Sequence, residues 1–561
     1  MVHRPSSIVH RPQGDMDVKA DIILVGGTVL PMDKRHPPAQ AIALGQGRIL
    51  ALGTDDEVLH RRGPATRVIR LHGRTVLPGF TDGHIHLVEW ALQRQQVNLW
   101  GVTSLAETLS RIRRVHAALP PGVWLRGGGW DASVWQDAGG AEPTAALLDQ
   151  VAGDRPVALD SKDLHALWVN SYTLRLAGIT AHTPDPPGGV IVRDPVTGQP
   201  TGVLKETARE LVTRLYPPES EADWVRALEA AQPALWAEGI VAVHVLNDTD
   251  TMRNFRTLQI LRERNALRLR ALVYFPASRQ EEAIRLGLRS GFGDTLLRVG
   301  GIKYFADGTL GSRTAALFEP YMDGQNNTGI FVTDPEEMME GIQAASRAGL
   351  AVAVHAIGDR ANRVVLDILT KVRTAEKEYL APALPHRVEH VQLLQPEDLE
   401  RFVSLGVVAS MQPFHATQDM DLARAYWGEE RNRWAYPWRS LLRTGARLIF
   451  GSDAPVEPPS VLQGLHAALT RRRADGSPGP EGWIPQERLC LLQALHAYTL
   501  APAEVEGTAH WRGSLAPGKV ADLVVLSGPL LPQAREDPMA LLELRVDMTI
   551  FEGEIVYQRE A

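Results

Sequence analysis

At 561 residues the chain exceeds one ordinary compact domain, and its length reads as two or three domains or as a barrel with insertions. Its 44% apolar and 22% charged residues match a soluble globular protein with a large core. A formal net charge of -7 and scattered basic residues argue against a nucleic-acid-binding face. The single cysteine excludes an intramolecular disulfide, and no segment approaches the roughly 18 continuous apolar residues of a membrane helix. These features lead us to expect a cytoplasmic protein with neither nucleic acid nor membrane as partner. Cys490, within Leu489-Cys490-Leu491-Leu492, reads as a buried, inert thiol.

Residues 1–19 read as a disordered tail. They carry a repeat, Val2-His3-Arg4-Pro5 and Val9-His10-Arg11-Pro12, but no apolar h-region, and Met16 is an alternative start. Short β-rich runs follow from Asp21 to Val25, Ala41 to Leu44, Arg48 to Gly53 and Thr66 to Leu71, separated by turn residues. The same pattern returns at Ala521 to Leu526, Thr549 to Phe551 and Glu554 to Tyr557. Residues 20–78 and 506–561 are therefore expected to form two parts of one small β-sandwich.

Between them, strands alternate with helices such as Glu336 to Gly349 and Arg360 to Glu376, the signature of a parallel α/β fold. Eight candidate strands end near His86, His244, Phe275, Tyr304, His355, His390, Met411 and Ser452. Residues 79–505 thus read as a (β/α)₈ barrel. The gap between the first two strands is too long for one crossover helix and predicts an insertion over about 88–230. Eight of the 13 tryptophans lie between Trp90 and Trp236. They either line a substrate pocket or supply the insertion's own core. The run Arg471-Arg472-Arg473 reads as a helix end entering a loop.

The strongest local signal is Gly79-Phe80-Thr81-Asp82-Gly83-His84-Ile85-His86. On a strand, residues i and i+2 share a side, so His84 and His86 aim together. Imidazole suits a borderline ion such as Zn²⁺. Further strand ends carry His355, His390 and Asp453, and a buried carboxylate there is costly unless paired or metal-bound. Lys303 ends a fourth strand. It is either a carbamate-bearing bridge between ions or a plain lysine that binds a substrate carboxylate or makes an ion pair.

This set resembles the amidohydrolase superfamily, and its finer wording is similar to the YtcJ-like branch, whose relatives include N-substituted formamide deformylase. The matching stretches are Ile302-Lys303-Tyr304-Phe305-Ala306-Asp307-Gly308, Gly311-Ser312-Arg313-Thr314-Ala315-Ala316, Val354-His355-Ala356-Ile357-Gly358-Asp359-Arg360-Ala361-Asn362, Arg387-Val388-Glu389-His390 and Ser452-Asp453-Ala454-Pro455. The closing Gly513-Ser514-Leu515-Ala516-Pro517-Gly518-Lys519-Val520-Ala521-Asp522-Leu523 is also typical. The resemblance runs from about Ala20 to the C-terminus.

The resemblance implies two Zn²⁺ or other divalent ions. His84, His86 and Asp453 would hold one, His355 and His390 the other, with carbamylated Lys303 between. It implies hydrolysis of an amide or formamide C–N bond of a small molecule by metal-activated hydroxide, with Asp453 moving the proton. Ester, carbamate or cyclic imide hydrolysis and deamination are the alternatives on the same fold, and a non-catalytic scaffold is a third reading. His165 and Trp168, in a stretch resembling a family signature, and Arg313 are candidate substrate contacts. Arg313 has a second reading, as the partner of Asp307. His244 and Gln412 are placed to point inward, while Asp359, Arg360 and Glu389 read as supporting partners. A homodimer is common in such folds.

Overall fold

Short β-branched runs buried on both faces give parallel strands, and the amphipathic segments between them give the helices that cover those strands. The computed structural model describes residues 18–137, 143–161, 166–187, 189–246, 251–311, 313–322, 326–531, 534 and 537–560. The repeat in residues 1–12 lies outside them. Eight strands form one parallel sheet in chain order: β1 (Phe80–Ile85), β2 (Ile240–Leu246), β3 (Arg270–Pro276), β4 (Leu297–Phe305), β5 (Ala351–Ala356), β6 (Arg387–His390), β7 (Val408–Met411) and β8 (Arg447–Phe450). Each ends within two residues of its expected position. Helices Pro335–Arg347 and Asp359–Ala375 fall where the sequence periodicity places them.

The sheet curls until its last strand meets its first. Ile85 bridges Ala454 in parallel. The Asp453 N–H donates to the His84 carbonyl at 2.7 Å, and the His86 N–H to the Ala454 carbonyl at 2.9 Å. Asp82 ties the seam, because its Oδ1 accepts from the N–H groups of Ser452 (2.9 Å) and His84 (3.1 Å). The approach needs glycine on both sides. A Cβ at Gly83 would lie 2.6 Å from the Phe450 carbonyl oxygen, and one at Gly451 would lie 2.3 Å from His84 N.

The two chain ends build a β-sandwich. Ile22–Val25, Ala41–Gly45, Arg48–Gly53 and Arg67–Arg70 form one sheet. In the other, Thr75–Pro78 pairs antiparallel with Leu523–Leu526, followed by Val546–Phe551 and Glu554–Gln558. One apolar core joins the sheets, with Leu24, Ile42 and Leu44 packed among Val76, Leu523 and Ile550.

Barrel and sandwich together make one compact unit, and Val88–Ala231 make a second. The second unit has a six-stranded mixed sheet of its own. Its core stacks Trp168 against Trp130 and Trp135, with ring centroids 6.0 and 5.9 Å apart. Those three tryptophans serve the unit's own core.

Two further residues bear on the sequence reading. Arg471 caps helix Val461–Thr470 as expected, and its guanidinium is wholly buried between Trp438 and Trp483. Cys490, expected to be buried, is exposed. It precedes helix Leu491–Tyr498, where its main-chain N–H donates to the Gln493 side chain at 3.0 Å, and this capping position holds it at the surface. Among the described residues no helix is long and apolar enough to cross a membrane.

Candidate metal centre

Three of the six expected ligands, His84, His86 and His390, converge on a fourth, the carboxylate of Asp453. Asp453 follows β8 and adopts a left-handed backbone, φ 63°. Its Oδ1 lies 3.1 Å from His86 Nε2 and 3.3 Å from His84 Nε2. Its Oδ2 lies 4.0 Å from His390 Nδ1. His390, at the end of β6, is also left-handed, φ 74°. Positive φ at non-glycine residues costs energy and clusters at functional sites.

Orientation is set from behind. Glu389 Oε2 accepts from His84 Nδ1 at 2.6 Å, which turns the Nε2 lone pair toward Asp453. Arg387 clamps Glu389 and also donates to the Gly83 carbonyl and to Ser410 Oγ, at 2.6 and 2.7 Å. The buried chain continues through His244, whose Nδ1 lies 2.8 Å from Arg387 Nη1, to Glu506, 2.7 Å from His244 Nε2, and on to Arg512. His244 and Glu389 thus occupy the inward and supporting positions expected of them. Gln412 Oε1 lies 3.0 Å from His390 Nδ1.

The electrostatics suit a cation. Burial opposes ionisation of Asp453, yet the His84 and His86 imidazoles outweigh it and hold the carboxyl well below its ordinary range. Burial and then the Lys303 cation push His355 down to about 3. Burial and His355 push His390 well down too, so both are neutral, as metal ligands must be. His84 Nε2 and His415 Nε2 are buried and make no hydrogen bond among the described residues. Each faces an Asp453 oxygen. A cation seated between these nitrogens and the carboxylate would satisfy both, so the donor set fits a divalent ion.

The remaining expected residues are placed less simply. The His355 ring lies 4.5 Å from that of His390, but its Nε2 is 3.0 Å from the Gly308 carbonyl oxygen. Lys303 is buried, with Nζ 4.8 Å from the Phe305 ring centre. Asp307 accepts from three main-chain N–H groups, those of Ile357, Gly358 and Ala316, which satisfies it without a cation. Burial pushes its carboxyl up to about 7. The Arg313 guanidinium lies over Tyr426, 5.5 Å from the ring centre. Trp168 is wholly buried within the second unit, its indole donating to the Thr144 carbonyl at 2.9 Å. His165 lies outside the described residues. Asp359 bonds the Phe318 N–H and the Gln395 side chain, a structural role.

Sequence reasoning missed His415. It sits at the start of helix Pro413–Asn432, three residues past Gln412, its Nε2 3.8 Å from Asp453 Oδ2. Gln412-Pro413 directly after β7 was the available signal, since proline at a helix N-terminus fixes where the helix begins.

A family model described as "Amidohydrolase family" matches residues 67–557. The chain belongs to the amidohydrolase family. It is 33% identical to putative amidohydrolase YtcJ of Bacillus subtilis, over 95% of this chain and 99% of that protein. Identity to N-substituted formamide deformylase of Arthrobacter pascens is 30%, over 96% and 98%. Identity to protein LONG AFTER FAR-RED 3 of Arabidopsis thaliana is 35%, over 91% and 88%. Among solved structures, an uncharacterized metal-dependent hydrolase from Pyrococcus furiosus matches with TM-score 0.70 and 28% identity, over 90% of this chain and 98% of that one. This amidohydrolase therefore shares sequence and fold with metal-dependent hydrolases along most of its length.

Proposed function

We propose that this amidohydrolase cleaves a C–N bond of amide or formamide type in a small molecule, in the cytoplasm. The observation that carries the reading is the convergence of His84, His86 and His390 on the two oxygens of Asp453. The relation to N-substituted formamide deformylase supports the choice of bond. His84, His86 and Asp453 would hold one divalent ion, Zn²⁺ being well suited to such donors. Bound there, the ion supplies Lewis acidity and a water of lowered pKa.

The chain's own residues do the rest. Glu389 fixes the His84 ring, and the seam hydrogen bonds fix Asp453. Asp453 Oδ1 faces His84 and His86, so Oδ2 is the oxygen left to carry a proton. It takes the proton from the water that adds to the substrate carbonyl and delivers it to the leaving amine as the C–N bond breaks. The products are a carboxylic acid and an amine. Such a positioned acid–base group contributes about 10²–10⁴-fold. His355 and carbamylated Lys303 complete the proposed ligand set, because a carbamate turns a buried cation into an anion. Arg313 is the proposed contact for a substrate anion.

Screening metal-replete protein against formamides, N-acyl amino acids, esters and aminated heterocycles tests the reading. Turnover of formamides or acyl amides is expected, and turnover of heterocyclic amines alone overturns it. Intact mass after gentle desalting should show one added CO₂ on wild type and none on Lys303→Ala.

A further inference from the structure

The interior of a (β/α)₈ barrel is ordinarily filled by layers of branched apolar side chains. Here a column of charge runs through it. Arg387 reaches Glu389 on β6, Ser410 on β7, the Gly83 carbonyl of β1 and His244 on β2, groups that meet only inside the closed barrel. Beyond His244 stand Glu506 and Arg512, and the Arg512 guanidinium donates to Thr81 Oγ1 of β1 at 2.8 Å. Arg387, Glu389, His244, Glu506 and Arg512 are all buried. Burying ions is costly, and apolar packing often stabilises a fold as well or better, so stability alone is a weak reason for the column.

The direction of each hydrogen bond is fixed. A guanidinium only donates, so His244 Nδ1 accepts from Arg387 at 2.8 Å. Burial pushes the His244 imidazole down and leaves it neutral, so its one proton sits on Nε2 and is donated to Glu506 Oε1 at 2.7 Å. Glu506 Oε2 accepts from Arg512 at 3.0 Å and from Thr508 Oγ1 at 3.2 Å, and its main-chain carbonyl accepts from Arg298 at 2.8 Å. Burial opposes ionisation of Glu506, yet Arg512 and His244 bring its carboxyl down to about 2. The anion at Glu506 thus selects the His244 tautomer that receives Arg387, and Arg387 seats the Glu389 carboxylate that orients His84.

We propose that Glu506 is a positioning residue for the metal centre, acting through His244 and Arg387 on Glu389 and so on the His84 nitrogen offered to the ion. The inference rests on the metal-hydrolase reading. It ties the start of the second sandwich segment, 262 residues from His244 in the chain, to the affinity of a site that Glu506 does not touch.

The test is Co²⁺ binding to full-length metal-free protein, with affinity read by chelator competition and coordination by visible absorption. Glu506→Gln removes the anion. His244→Phe cuts the link while leaving the Glu506–Arg512 and Arg387–Glu389 ion pairs in place, and it carries the test by itself if Glu506→Gln does not fold. Glu487→Gln is the control for loss of a buried carboxylate, since Glu487 accepts from the main-chain N–H groups of Arg439 and Ser440, at 2.8 and 3.0 Å, outside the column. Both column variants should bind Co²⁺ at least about threefold more weakly, with a shifted absorption band, while the control loses stability and binds as wild type does. With Glu389→Gln already present, Glu506→Gln should cost little more, because both act on the same ring. Column variants with wild-type affinity and spectrum overturn the proposal, as does equal weakening in the control or a double variant whose losses multiply in full. Wild type that binds no Co²⁺ overturns the metal-hydrolase reading itself, a separate outcome.

Discussion

Glu389 Oε2 and His84 Nδ1 lie 2.6 Å apart in the buried interior, although 305 residues separate them in the chain. Burial alone would neutralise the glutamate, but Arg387 and His84 hold its carboxyl well below the ordinary range. The pair therefore fixes which His84 nitrogen faces Asp453. Glu389→Gln removes the charge while keeping the shape. We expect metal affinity to fall by about 10–100-fold, as for other partners that orient ligating histidines. The melting temperature should fall too, because Arg387 loses its buried anion. Chelator competition and calorimetry measure the two effects separately, and unchanged metal affinity would remove the orienting role.

Asp453→Asn keeps the size of the side chain but cannot move a proton as a carboxylate does. Turnover should be abolished while the circular dichroism spectrum stays that of the wild type. Near-normal activity with metal bound would show that another group carries the proton.

Acid stability should depend on a site remote from the metal. Glu376 accepts from Ser346 Oγ at 2.7 Å, lies 2.8 Å from His386 Nε2 and pairs with Arg373. Burial opposes ionisation, but His386, Ser346 and Arg373 prevail and bring its carboxyl down to about 2. A folded pKa below the ordinary 4.5 stabilises the fold above that value, and the contribution is lost as pH falls from 4.5 toward 2. Glu376→Gln should lower stability at neutral pH and flatten the loss over that window. Urea midpoints measured from pH 6 down to pH 3 check this, and parallel curves for variant and wild type would contradict it.

Trp168 tests the role of the tryptophan-rich unit. Its ring packs on Trp130 and Trp135 and its indole N–H is bonded, so Trp168→Ala opens a large cavity. A loss of about 3–5 kcal/mol is expected for such a truncation in a core. Urea denaturation followed by tryptophan fluorescence should show it. Full stability with a raised KM would instead mark Trp168 as a substrate contact.

Local chemistry made much of the fold and site legible. Each barrel strand is a short buried run, so its end is visible, and strand geometry aims His84 and His86 to one side without reference to the rest of the chain. His355, His390 and Asp453 stand out for the same reason, as polar groups at the ends of apolar runs. His415 was not legible, because it sits on a helix whose tilt is set by packing. Cys490 misled, since its apolar neighbours are those of a helix start at the surface. The Arg387–His244–Glu506 chain joins strands far apart in sequence and exists only once the barrel closes. Sequence alone determined which residue types stand at the strand ends, because secondary structure is a local property. Only the tertiary structure decided which of them meet Asp453, and through which nitrogen, because those contacts depend on the seam between β1 and β8 and on buried partners hundreds of residues away.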